Sequence, residues 1–142
     1  MTLQETAAFF NTYRDAFNRL DGDAVADLWH SASGITDTRE GLGRLTWWPT
    51  DEPMRANHRA LCEVYRKADY GSAEFVIKHH EALGPHHAFA RLAWRITRRD
   101  GSLLQAFGTG YQLLRTAAGP RVLLATAFEE DIQEMKNHAA QC

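Results

Sequence analysis

Four extended runs, Ala73 to Leu83, His87 to Arg98, Leu103 to Thr116 and Arg121 to Glu129, follow one another with only short breaks between them. The breaks are Gly84-Pro85, Asp100-Gly101 and Gly119-Pro120, pairs that supply the unusual or fixed φ a chain reversal needs. Consecutive strands joined so tightly make an antiparallel meander, because a parallel pair needs a long crossover. The first half of the chain has a helical period instead. Helices first and a meander afterwards predict an α+β fold with the helices on one face of the sheet, and exclude the alternating βαβ order of a parallel sheet.

The helical half divides at clear signals. Thr2 and Glu5 have capping-box spacing, and Leu3, Ala7, Phe10, Tyr13, Phe17 and Leu20 then recur at helical intervals. Asp21-Gly22-Asp23 breaks that helix, and Asp23 can cap a short second one with Val25, Ala26, Leu28 and Trp29 on its apolar side. A very short extended segment is expected at Ile35 to Thr38. Arg39 to Thr50, with Trp47-Trp48-Pro49, reads as a loop or lid. Asp51 and Pro53 suit the start of a third helix, whose inner stripe is Met54, His58, Leu61, Val64, Tyr65 and Ala68, and which ends near Tyr70-Gly71.

The 142 residues, 44% of them hydrophobic, fit one globular domain, 1–142, with no linker or repeat inside it. The net charge of −2 comes from 16 basic and 18 acidic residues in no long block, which argues against a nucleic-acid partner. Apolar stretches are too short to span a bilayer, and Met1-Thr2-Leu3-Gln4-Glu5 lacks the features of a secretory leader, so no membrane partner and a cytoplasmic location are expected. Cys62 and Cys142 give neither a disulfide framework nor metal-type spacing, and Cys62 is expected as a buried apolar filler. No phosphate-cradling glycine loop, dinucleotide fingerprint or nucleophile motif is present, so covalent catalysis is disfavoured and no cofactor is expected. Leu92-Ala93-Trp94 and Val122-Leu123-Leu124-Ala125 are apolar at both parities. Both sheet faces should therefore be covered, the outer one by a second subunit in a homodimer.

The run from Tyr13 to Trp29, with its Leu20-Asp21-Gly22-Asp23 corner, and Tyr111-Gln112-Leu113-Leu114-Arg115 followed by Arg121-Val122-Leu123-Leu124-Ala125, resemble the nuclear transport factor 2-like superfamily. That superfamily includes ketosteroid isomerases, SnoaL-type polyketide cyclases and scytalone dehydratase. The resemblance covers nearly all of the chain. It implies a cystatin-like cone of three N-terminal helices packed on a strongly curved, mostly antiparallel sheet around an apolar pocket. Neither segment is a catalytic signature, so the resemblance speaks more to fold than to function. It implies a pocket for a small apolar molecule, and a cofactor-independent isomerase, cyclase or dehydratase acting on a carbonyl compound. The alternative is a non-catalytic ligand-binding or dimerisation module.

On that resemblance, Tyr13 would donate a hydrogen bond to a developing enolate oxygen. Its alternative is a core tyrosine with its hydroxyl at the pocket rim or on a backbone carbonyl. Asp37 falls where the isomerases carry their base, and a carboxylate walled by Trp29 and the Trp47-Trp48 lid could move a proton between carbons. Its alternative is a turn residue paired with Arg39 or Arg44. The protonated acid of the isomerases falls on Gly110, a departure that puts steroid isomerisation in doubt. Ala106, Gly108 and Gly110 share one strand face and would either open an interior cavity or mark bulges. Of the pairs His79-His80 and His86-His87, each can turn one ring to a common side. His79 is the candidate for the pocket, and without a placed carboxylate no metal site is expected. Trp94 shares its face with Ala90, Leu92 and Ile96 and is placed in the pocket wall, whereas the opposite parity would bring in Arg91 or Arg95 and favour an anion. The candidate site is thus Asp37 and Tyr13 for chemistry, with Trp29, Trp47, His79, Trp94 and Gly110 for binding.

Overall fold

The capping box at Thr2 opens the first helix of the computed structural model, which describes residues 1–128. The Thr2 hydroxyl accepts from the Glu5 N–H at 3.1 Å, and the Thr2 N–H points back to the Glu5 carboxylate. Helix α1 (Leu3–Asn18) ends where Leu20 takes a left-handed φ of 52°. Helix α2 (Gly22–Ala26) follows at once, capped by Asp21, which accepts from the Ala24 N–H at 3.0 Å. The cap expected at Asp23 is therefore displaced by two residues. Asp23 instead pairs with Arg55 and Arg59 of α3 (Asp51–Lys67). Gly22 permits this corner, since a Cβ there would sit 2.6 Å from the Arg59 Cα.

The segment expected as a short strand and a lid is a hairpin of two full strands, β1 (Trp29–Arg39) and β2 (Leu42–Trp48). Arg39 pairs with Leu42 across a two-residue turn, Glu40-Gly41, in which both residues have positive φ, 56° and 77°. After α3 come β3 (Tyr70–Ala82), β4 (His87–Arg98), β5 (Leu103–Thr116) and β6 (Gly119–Phe128). The last hairpin turns at Ala117-Ala118, because Gly119 already pairs with Thr116. Glu129, the expected end of the last strand, and Cys142 lie outside the described residues.

The six strands form one sheet in the order β2-β1-β6-β5-β4-β3, antiparallel throughout except for the parallel pair β1–β6. The arrangement is α+β, as the meander required. The inner face carries Trp29, Ile35, Ala73, Ala90, Leu92, Trp94, Ile96, Tyr111 and Leu113, and the helices pack on it through Phe10, Phe17, Met54 and Tyr65. Asn18 ties the end of α1 to the sheet edge: its Oδ1 accepts from the Tyr70 hydroxyl at 2.6 Å and from the Ala73 N–H at 2.8 Å. Among the described residues, no helix is long and apolar enough to cross a membrane.

Candidate functional site

A cavity of about 500 Å³ lies between the helices and the inner sheet face. Apolar groups from every layer line it, among them Phe17, Val25, Ile35, Leu61, Ile96 and Ala125. A few polar atoms interrupt that lining, which is the usual composition of a small-molecule site.

Tyr13 of α1 is buried in its wall. The indole Nε1–H of Trp29 donates to the Tyr13 hydroxyl oxygen at 3.2 Å, and among the described residues no acceptor takes the tyrosine's own proton. Burial, and then the nearby Tyr111, hold the Tyr13 hydroxyl well above its ordinary pKa, so it stays a donor. A second pair repeats the pattern: Trp94 Nε1–H donates to the Tyr111 hydroxyl at 3.0 Å. Burial raises Tyr111 too, against the lowering effect of hydrogen bonds with Trp94 and Thr109.

The Trp29 ring also meets His58 of α3, with centroids 4.5 Å apart and planes tilted by 43°, and the Trp48 ring lies 6.0 Å from the imidazole. His58 is 2% exposed, lines the cavity, and its Nε2 has no hydrogen-bond partner. Burial, helped by the charge of Arg55, pushes its pKa down to about 4. Cys62 also lines the cavity, and burial pushes its thiol up to about 11, which leaves it protonated and unreactive.

Asp37 lies on the inner face of β1 at the cavity. It is directly opposite Arg44 of β2, and the guanidinium donates to both carboxylate oxygens, Nε to Oδ1 at 3.1 Å and Nη2 to Oδ2 at 3.0 Å. Of the expected site residues the fold thus brings Tyr13, Trp29, Asp37 and Trp94 to one cavity.

Three it does not. Trp47 lies on the outer face of β2, 47% exposed, with its ring against Gly34, and it is Trp48 that turns inward. His79 is exposed, because an irregularity between Ile77 and His79 shifts the strand's alternation. His80 turns in instead and meets the Thr6 side chain at 3.0 Å, away from the cavity. Gly110 faces outward against the Phe89 ring, and Gly108 against Phe128, so instead of an interior cavity Ala106 and Gly108 border only a hollow on the outer face, shared with Lys78, Arg91 and Phe128. Their neighbours Phe107, Thr109 and Tyr111 line the real one. His58 was legible only as part of a helical stripe, yet it is a polar residue in an otherwise apolar one. Among the described residues, no three His, Cys, Asp or Glu side chains gather in a way that could hold a metal ion.

Residues 4–130 match the model of a family described as NTF2-like protein (DUF6841). Similar solved structures include a cystatin-like domain of unknown function from Nostoc punctiforme, with TM-score 0.68 and 13% identity over 99% of this chain and 86% of that one. A ketosteroid isomerase-like protein from Erwinia carotovora atroseptica has TM-score 0.64 and 19% identity, over 88% of this chain and 93% of that one. A candidate dehydratase of the NTF2-like family from Streptomyces avermitilis has TM-score 0.61 and 12% identity, over 88% and 93%. No curated protein matches the sequence. At such identities the structural likeness speaks for the fold alone.

Proposed function

The chain belongs to the NTF2-like family DUF6841, and from that premise we propose that its cavity binds one compact, largely apolar molecule through a carbonyl-type oxygen. The observation that supports this is the Tyr13 hydroxyl. Its oxygen is already engaged by Trp29, its proton has no acceptor among the described residues, and it lines an apolar cavity. A buried donor left unmatched costs about 1–3 kcal/mol, and a carbonyl oxygen arriving in the cavity removes that cost.

A matched pair of probes tests this. 1-Tetralone and its hydrocarbon analogue tetralin differ by one oxygen, and both are small enough for the cavity. The ketone is expected to bind more tightly by about three- to tenfold, the worth of one buried hydrogen bond. Tyr13→Phe should erase that preference while tetralin binding persists. Equal affinities for ketone and hydrocarbon in the wild-type protein would refute the assignment.

Cofactor-independent isomerase or lyase chemistry is the second reading, favoured by Asp37 on the cavity side of β1. A base there must first shed two charge-assisted bonds from Arg44, so proton abstraction requires that pair to open when a ligand binds. Catalysed deuterium exchange at the carbon next to the 1-tetralone carbonyl, lost in Asp37→Asn, is the expected signature. Exchange no faster than in buffer leaves binding as the function.

A further inference from the structure

Besides Tyr13, the cavity wall holds a second polar group that the protein leaves unmatched. His58 is on α3, against Trp29 and Trp48, and its Nε2 is buried without a partner. Trp29 touches both unmatched groups: its Nε1–H engages Tyr13 and its ring lies against the His58 ring, the two planes tilted by 43°. A chain gains nothing structural from placing an imidazole in such a stripe, where the neighbours on the same side of the helix are Met54, Leu61 and Tyr65. An aliphatic or phenyl side chain would fill that position without a buried nitrogen to satisfy.

We propose that His58 Nε2, closed off from the cavity, is a second ligand-binding atom, which a turn of the imidazole about its Cβ–Cγ bond brings to a hydroxyl of the same molecule whose carbonyl oxygen Tyr13 binds. The ligand class is then a compact hydroxy-carbonyl compound of one or two rings, with both oxygens beside the Trp29 indole. This rests on the carbonyl-binding role proposed above. The neutral imidazole offers either a lone pair or an N–H at that atom, according to its tautomer, and a hydroxyl satisfies both.

The 5-, 6- and 7-hydroxy isomers of 1-tetralone scan the spacing between the two oxygens. At least one isomer is expected to bind wild-type protein about three- to tenfold more tightly than 1-tetralone itself. His58→Phe should lose that increment and keep its affinity for 1-tetralone. Should the phenyl variant fold poorly, the wild-type protein still decides: the His58 imidazole nitrogen resonance should move on addition of the tight isomer and stay with 1-tetralone. If 1-tetralone binds but no isomer gains, or if the gain survives in His58→Phe, His58 has no ligand role. If 1-tetralone itself fails to bind, the carbonyl site fails and this inference with it.

Discussion

Phe10→Ala is expected to lower the free energy of unfolding by about 3–5 kcal/mol, a large share of what a domain of this size possesses. Phe10 is fully buried, and its ring lies 4.7 Å from that of Tyr111, 5.1 Å from Phe9, 6.0 Å from Tyr13 and 6.1 Å from Phe75. It therefore joins α1 to strands β3 and β5 at one point. Truncation removes the transfer free energy of a phenyl group and leaves a hole whose walls are rings held by other contacts, so collapse is partial. Urea unfolding should show a lower midpoint with little change in slope, and Phe10→Leu should lose distinctly less. The same hole borders both hydroxyl-bearing walls of the cavity, Tyr13 and Tyr111, so ketone affinity should fall along with stability. A loss below about 1 kcal/mol would mean that α1 is anchored elsewhere and that this aromatic cluster is not the centre of the core.

What the sequence made legible was whatever local chemistry controls. The capping box at Thr2 and Glu5, the corner at Asp21-Gly22, the stripe of α3 and the four meander strands all follow from neighbours within a few residues. The β1–β2 hairpin was hidden because its turn is Glu40-Gly41, and glutamate at a positive φ is not a usual hairpin signal. Once that hairpin is missed, the register that sends Trp48 inward and Trp47 outward is missed with it. Gly110 failed for a different reason. Small residues along one strand face suggest interior space, whereas this face points outward and the rings of Phe89 and Phe128 lie against Gly110 and Gly108. Cross-strand register held the answer: Trp94, correctly placed inward, pairs with Phe107, and Ala90 pairs with Tyr111, so the odd positions of β5 must face the cavity. His79 was lost to the irregularity after Ile77, which no period-2 argument can see.

Acidification through the range from about pH 6.5 to about pH 4 is expected to destabilise the wild-type protein by about 3 kcal/mol more than His58→Phe, the linkage value of the His58 shift. The sign follows from the two states. Unfolded, the imidazole takes its proton near 6.5; folded, burial and Arg55 delay that to about 4. Between these values the unfolded chain binds more protons than the folded one, so stability falls as pH falls, and below the folded value no further loss comes from this group. The other shifted groups around the cavity stay out of this window. Tyr13, Tyr111 and Cys62 are raised and remain protonated, and Arg55, raised by Asp51, Asp27 and Asp23, remains charged. Asp37 is common to wild type and variant. Asp23 and Asp51 are lowered by their arginine partners, so their contribution is present above their unfolded values and is lost at the acid end. Both proteins share that loss, and it cancels in the difference. Urea midpoints across the pH series give the result directly, since the wild-type curve should slope more steeply than that of the variant, which keeps the shared contribution of His80, also lowered by burial. Parallel curves would mean that His58 titrates as it does in water, and a hydrated imidazole has no need of a ligand's hydroxyl. An excess slope in the wild-type protein would show that the fold holds the imidazole beside Trp29 neutral through this range, as a hydroxyl-binding role requires.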